Sequence, residues 1–458
     1  MLKSINPTTE EVMYKVETDS DQELDNKLSA ARTAYADWHE QSFKQRAEAL
    51  TDFAAALRAD RENLAMRMTQ EMGKPRKEAF PEVEKCANCF DHYAMNAGKY
   101  LADEVIESDA SRSWVQYVPL GTVLGILPWN APLWLMSRVC APALMAGNTV
   151  VIKHDPHVPG CAEALAAVAA DTFPEGVLQF LFIETERVES IIRDRRVQAI
   201  SFTGSANGGS KVAEISGSEI KPTVLELGGS DAAIVLSDAD IEQAVKTITT
   251  MRIINAGQSC IAAKRILVEE KVYGQFLEQF EKHLATLRVG NPEDEQTDIG
   301  PIARKELREQ LHRQVTTTID AGARCLLGGE IPAGPGFFYP VTLLVDVPLK
   351  SAAFCEEVFG PVASVAPVRD VEEAIAIAND SDYGLAGSVW TTPERGVELA
   401  SRMQTGQVAI NGLVKTDPRL PSGGIKRSGF GRELGPHGIR EFVNVQQVWL
   451  GPAKSITG

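Results

Sequence analysis

The sequence carries no GxGxxG run, so the commonest dinucleotide fingerprint is missing. No second CxxC accompanies Cys86 and Cys89, and no two histidines stand at zinc-finger spacing. The 7 histidines are dispersed and share no ligand motif with cysteine, so a zinc enzyme fails for want of ligands and no metal site is expected. The CxxC reads instead as two small residues on an alanine-rich helix. The 7 cysteines are an odd, scattered set, which argues against a disulfide framework and for reduced thiols. Positive charge is in deficit: 46 lysines and arginines face 62 aspartates and glutamates, for a net charge of −16. A surface so acidic repels phosphate backbones, which sets nucleic-acid partners aside. An anionic substrate would need a local basic group, because no global field attracts it.

Long unbroken apolar runs are also absent. The opening "MLKSINPTTEEV" has no apolar signal core. The most membrane-like stretch, residues 118–137, is interrupted by Pro119, Gly121, Gly125, Pro128 and Pro132 and is followed by Arg138. A buried strand, a turn and a helix start fit it better than a membrane span. The expectation is a cytoplasmic chain with no membrane partner. Repeats and low-complexity linkers are lacking too, so domain boundaries must fall in short loops.

What is present is ample core material. With 458 residues, 44% of them hydrophobic, the chain has room for two or three domains. Residues 21–72 show helical spacing of apolar positions, ended by Gly73 and Pro75, and another helix covers 78–95. From residue 118 short apolar runs alternate with amphipathic stretches. "TVLGIL", "TVVIKH", "AISF" and "TVLEL" read as buried strands, with helices over 133–145 and 206–216 between them. That alternation predicts an α/β fold with a parallel, doubly wound sheet. A second α/β texture follows: a helix over 238–254 capped by Ser237 or Asp238, a strand "RILVEE", and helices over 273–287 and 305–321. Gly228–Gly229 is the best boundary between the two. Two alternating segments, 111–119 and 440–450, read as a small sheet that pairs between subunits, since exposed strands are a liability unless paired.

Four short pieces carry chemistry. "FTGSANGGSK" follows a strand and opens a helix, a place that suits a diphosphate because free N–H groups and the helix dipole point outward. Gly204 and Gly209 give GxxxxG, but Lys211 does not directly follow, so this is no P-loop; a tight helix start is the plain alternative. In "VLELGGS", Glu226 ends an apolar strand, where it is either a desolvated general base or a solvent-facing carboxylate. In "LPWNAP", Asn130 sits between prolines and is either a turn residue or an amide donor for an oxyanion. In "INAGQSCIAA", Cys260 is either a core filler or a nucleophile.

Taken together, a thiol, a carboxylate, an amide donor and a dinucleotide-ready loop are the parts needed to oxidise an aldehyde. With "PWN", "FTGS", "LELGG", "GQSC", "EEVFGPV" and "GGIKRSGFGRELG" in order, nearly the whole chain resembles the aldehyde dehydrogenases. The resemblance implies a Rossmann-like dinucleotide-binding domain (1–105 and 120–227), an α/β catalytic domain (228–425) and a small β oligomerisation element (106–119 and 438–452). It implies a homodimer or homotetramer.

It also implies roles. Cys260 attacks the aldehyde as a thiolate, which needs local activation. The Asn130 amide and the Cys260 backbone N–H hold the oxyanion, each such donor being worth roughly 3–4 kcal/mol. Hydride passes to the nicotinamide, and Glu226 deprotonates the water that hydrolyses the thioester. Relatives that transfer the acyl group to coenzyme A typically lack this glutamate, so a free acid is expected. By position, Lys153 meets the adenosine ribose, Thr203, Gly204, Ser205 and Gly209 the diphosphate, and Glu357 the nicotinamide ribose. Phe359 lies beside that ring and Trp129 lines the groove. NAD-preferring members have a glutamate three residues after the lysine; here it is Pro156, so NADP is expected to be tolerated alongside NAD. Arg138, eight residues after Asn130, matches the arginine with which succinate semialdehyde dehydrogenases bind the distal carboxylate, and a guanidinium fork suits that group. Trp134 would be an aromatic wall. A second arginine of some of those enzymes is Ile254 here. Succinate semialdehyde is therefore the expected substrate. A neutral or aromatic aldehyde, with Arg138 structural, and a catalytically silent binding protein on the same fold stand as alternatives.

Overall fold

The computed structural model describes residues 1–451. Two sheets organise them. The first has six strands in the order Gly429–Phe430, Thr223–Glu226, Val197–Thr203, Thr122–Leu127, Thr149–His154 and Leu178–Phe180. All neighbours pair in parallel except Gly429–Phe430, which runs antiparallel at the edge. Parallel strands covered on both faces read as continuous apolar runs, and every residue of Thr122–Leu127 is buried.

The second sheet has seven strands, in the order Arg324–Leu327, Thr342–Val345, Val362–Val368, Ala263–Glu269, Asp231–Val235, Ala386–Trp390 and Gln407–Ile410. Only its first strand is antiparallel. Gly228 and Gly229 lie between the last parallel strand of one sheet and Asp231–Val235 of the other. The chain later crosses back, since Gly429–Phe430 pairs with Thr223–Glu226 in the first sheet.

The membrane-like stretch resolves into two strands and a helix. Pro132–Ala146 is buried along its whole length, against the 25-residue helix Arg76–Tyr100. Cys86 and Cys89 are free and buried on that longer helix. Among the described residues no helix is long and apolar enough to cross a membrane, and no cluster could hold a metal ion. Capping boxes at Ser20 and Ser42 start Asp21–Trp38 and Phe43–Ala59.

One expectation is corrected. The helix expected from residue 238 begins later, as Ile241–Ile253, with Asp240 rather than Ser237 or Asp238 as its cap; the Asp240 carboxylate accepts from Gln243 N at 3.0 Å. The two β-rich segments pair first with each other. Val443–Leu450 runs antiparallel to Arg112–Pro119, with Glu104–Val105 on the far side, all within one chain. Alternation showed that these strands needed partners and did not say which. The outer edge of Val443–Leu450 has no strand partner among the described residues. Residue 452, the last of the segment assigned to this element, lies outside the described residues.

Candidate active site

The carboxyl ends of the parallel strands in the first sheet open onto a cleft of about 440 Å³. In doubly wound sheets that is where ligands bind, because the strand-to-helix loops and helix N-termini converge there. Thr122–Leu127 delivers Trp129 and Asn130, Val197–Thr203 delivers Thr203, Gly204 and Ser205, and Thr223–Glu226 delivers Glu226. The other wall comes from the second sheet's side and brings Cys260, Glu357 and Phe359. Of the residues singled out by sequence, nine therefore line one cavity. Lys153, Gly209, Arg138 and Trp134 are not among its lining.

The Cys260 loop is held in an unusual backbone state. Asn255, Ala256 and Gly257 have φ of 55°, 54° and 73°, three left-handed residues in succession. Such strain persists only where surroundings impose it. Here Asn255 N donates to the Glu78 carboxylate at 2.7 Å, and Arg252 Nη2 donates to the Gly257 carbonyl at 2.8 Å. Lys264 Nζ donates to the carbonyls of Ser259, at 3.0 Å, and Cys260. Sequence reasoning passed over Glu78, Arg252, Asn255 and Lys264. The available signal was a charge embedded in apolar surroundings, as in "TTMRIIN" and "IAAKRIL".

Burial pushes the Cys260 thiol up to about 11, against the pull of Lys264 and Arg138. The thiol therefore rests protonated at neutral pH. Asn130 gives one amide hydrogen to the Gln258 carbonyl at 3.1 Å, which fixes its side chain beside the Cys260 loop and leaves the second hydrogen free.

Glu226 is the other titrating group. Burial raises it to about 7, with Arg138 pulling down and Glu433 pushing up. Its Oε2 accepts from Arg138 Nη2 at 2.8 Å, while Oε1 is buried without a partner. One oxygen is anchored and one is spare.

Arg138 differs from its expectation. Its side chain is 3% exposed and is held by two carboxylates, Glu226 at 2.8 Å and Glu433 in closer contact. Nη2 also reaches Ser422 Oγ at 3.3 Å. Sequence spacing could not see Glu433, which arrives from the C-terminal segment. Trp134 is buried as well; its indole N–H donates to Thr416 Oγ1 at 2.9 Å. Gly209 serves packing: a Cβ there would come within 2.5 Å of Leu227 Cδ2. Lys153 is buried at the end of Thr149–His154, where desolvation lowers its pKa against Asp155, Glu184 and Glu186.

A dinucleotide fits these residues. Thr203 Oγ1 is buried without a partner at the start of the helix Ala206–Ser218, whose N-cap is Ser205. A donor-rich helix start with an orphaned hydroxyl suits a diphosphate. Glu357 Oε1 accepts from Gly229 N at 3.1 Å, and a Cβ on Gly228 would meet its Oε2 at 2.3 Å, so the second glycine pair lets that carboxylate stand in the cleft. Trp129 and Phe359 face each other edge-on, centroids 5.8 Å apart.

The chain is similar to known proteins along nearly its whole length. The model of the aldehyde dehydrogenase family matches residues 1–448. A succinate-semialdehyde dehydrogenase [NADP(+)] of Mycobacterium avium is 45% identical, covering 99% of this chain and 98% of its own. The succinate semialdehyde dehydrogenase [NAD(P)+] Sad of Escherichia coli is 44% identical over 97% of each. A crystal structure of the succinic semialdehyde dehydrogenase of Streptococcus pyogenes, in complex with NADP+, superposes with a TM-score of 0.96 at 35% identity, covering 99% of this chain and 100% of that one.

Proposed function

The chain belongs to the aldehyde dehydrogenase family, and we propose that it oxidises succinate semialdehyde to succinate with NAD or NADP as acceptor. The observation that carries the chemistry is the meeting of Cys260, Asn130 and Glu226 in one cleft with a dinucleotide cradle. The substrate is drawn from relatives 44–45% identical over nearly the full chain.

In this reading the Cys260 sulfur bonds to the aldehyde carbon as its proton passes to Glu226. The aldehyde oxygen becomes an oxyanion held by the free Asn130 amide hydrogen and the Cys260 N–H. A nicotinamide held in the cradle would supply the acceptor for the hydride of that carbon. Glu226 then releases its proton to the open cleft. Its spare Oε1 takes a proton from water as the water attacks the thioester, and the thiolate leaves. Arg138 keeps Glu226 placed through the other oxygen. Thr203, Gly204, Ser205, Glu357, Phe359, Trp129 and Lys153 hold the cofactor, and Gly209 lets the diphosphate-binding helix approach Leu227. Self-association proceeds through the open edge of Val443–Leu450, giving a dimer or tetramer.

The test follows reduced nicotinamide by absorbance with succinate semialdehyde and butanal, each with NAD and NADP. A preference for the semialdehyde, lost entirely in Cys260→Ala, is the expected result. Surviving turnover in Cys260→Ala would refute the nucleophile. The internal pairing of Arg138 favours a second reading, a neutral or aromatic aldehyde; equal rates on both aldehydes would select it.

A further inference from the structure

Lys85 is a half-buried cation that forms no salt bridge among the described residues. It lies on Arg76–Tyr100 and reaches toward Pro132–Ala146, where its Nζ stands 3.9 Å over the Trp134 ring. Its single hydrogen bond among the described residues goes to Thr416 Oγ1 at 2.9 Å. An ammonium has three donors, so two remain. The carboxylate whose charge acts on it, Glu82, has both oxygens engaged: Oε1 accepts from Trp134 N at 3.1 Å, and Oε2 takes Lys74. Thr416 Oγ1 already accepts from both Lys85 and Trp134, so its own hydroxyl hydrogen is free to donate. Two ammonium hydrogens and one hydroxyl hydrogen thus remain available to an acceptor beside the Trp134 ring.

Position ties this cluster to the reaction. Trp134 and Leu135 are successive residues of one helix, and Leu135 lines the cleft with Cys260. Arg138, one turn on, acts electrostatically on both Lys85 and Cys260 and holds Glu226. Its own charge is matched by Glu226 and Glu433. We propose that Lys85, with Thr416 and the Trp134 wall, is the specificity site for the distal carboxylate of the aldehyde substrate, the role the sequence pointed to Arg138 for. This inference rests on the substrate proposed above and names the residue that reads it.

Burial and the nearby Arg138 lower the Lys85 pKa to about 8, and Glu82 raises it. The groups facing it are Glu82, Cys86 and Cys89 on its own helix and Arg138 on the neighbouring one. Both thiols are raised by burial, Cys89 to about 12, so neither ionises near 8. Carboxylate selectivity should then fall as pH rises through about 8, when the ammonium loses its charge. Glu226, near 7, acts on every aldehyde alike and cancels in a ratio.

The experiment measures kcat/KM for succinate semialdehyde and for butanal in the wild type, Lys85→Met and Lys85→Arg, and succinate binding to each by calorimetry. The expected result is a semialdehyde-to-butanal ratio lowered at least tenfold in Lys85→Met, largely restored in Lys85→Arg, with succinate binding weakened in parallel. A wild-type ratio near one overturns the substrate reading, and the role of Lys85 with it. A wild-type preference that Lys85→Met leaves intact, or an equal loss on both aldehydes, overturns Lys85 alone. If Lys85→Met does not fold, the wild-type ratio against pH decides: a ratio flat from pH 7 to 9 overturns the proposal.

Discussion

Glu226 divides its two oxygens between structure and chemistry. Oε2 is tied to Arg138, and Oε1 is buried and unpartnered. A carboxylate in that state serves as a base only when ionised. With its pKa raised by burial to about 7, the ionised fraction falls below pH 7. Steady-state turnover should therefore drop on an acid limb centred near 7; a limb at the ordinary glutamate value of 4.5 would assign the base elsewhere. Glu226→Gln should abolish steady turnover and slow the first equivalent of reduced nicotinamide as well, because the same carboxylate takes the Cys260 proton and activates the water. An undiminished steady rate would show another base at work. Arg138→Leu would strand Glu226 and Glu433 as uncompensated buried acids. Breaking such a pair typically costs roughly 3–5 kcal/mol. Thermal unfolding should move down, and rates on succinate semialdehyde and butanal should fall together. A loss confined to the semialdehyde would restore Arg138 as the carboxylate site. At the cofactor, Pro156→Glu should favour NAD over NADP at least tenfold, read in dissociation constants by cofactor fluorescence, since a carboxylate there repels a 2′-phosphate. Unchanged constants would remove residue 156 from cofactor choice.

At the scale of elements, the Cys260 loop depends on its left-handed run. Gly257 has φ of +73°, and a Cβ there would come within 2.2 Å of the Gly360 carbonyl. The conformation alone costs a non-glycine residue about 1–2 kcal/mol. Gly257→Ala should lower kcat at least tenfold while cofactor binding persists, because the cradle of Ala206–Ser218 is a separate element. Full activity would show that the loop relaxes freely. The same loop marks the limit of what the sequence discloses. "TVLGIL" was legible because a strand buried on both faces reads as an unbroken apolar run. Cys260 was legible because a family pattern surrounds it. Ala256 in a left-handed state was not, since nothing in an alanine announces it. The cap of Ile241–Ile253 was missed because "SDAD" offers several carboxylates and hydroxyls, and only geometry selects Asp240. Arg138 was found, but its partners Glu226 and Glu433 come from distant segments that meet only in the fold.

At the scale of the whole molecule, two α/β layers meet across a cleft, and a third small sheet stands away from it. That sheet is unfinished. Val443–Leu450 pairs on one side with Arg112–Pro119 and on the other with no described strand. Along it Val445 is 60% exposed, Trp449 44% and Leu450 52%, with Val105 and Ile106 exposed nearby. An eight-residue edge strand with exposed apolar side chains and no strand partner on its outer side is what protein chains ordinarily bury, charge or pair. No lysine or proline blunts it. Pairing with a second copy would satisfy the ladder and cover those side chains without touching the cleft. Val445→Lys should therefore shift the molar mass in light scattering toward that of one 49.7 kDa chain, because a charge on the edge opposes pairing. Catalysis per chain should survive, since no residue of Val443–Leu450 lines the cleft. An unchanged mass in Val445→Lys would place the contact between copies on another face, and a wild type that already runs at one chain's mass would mean the edge stays open in solution.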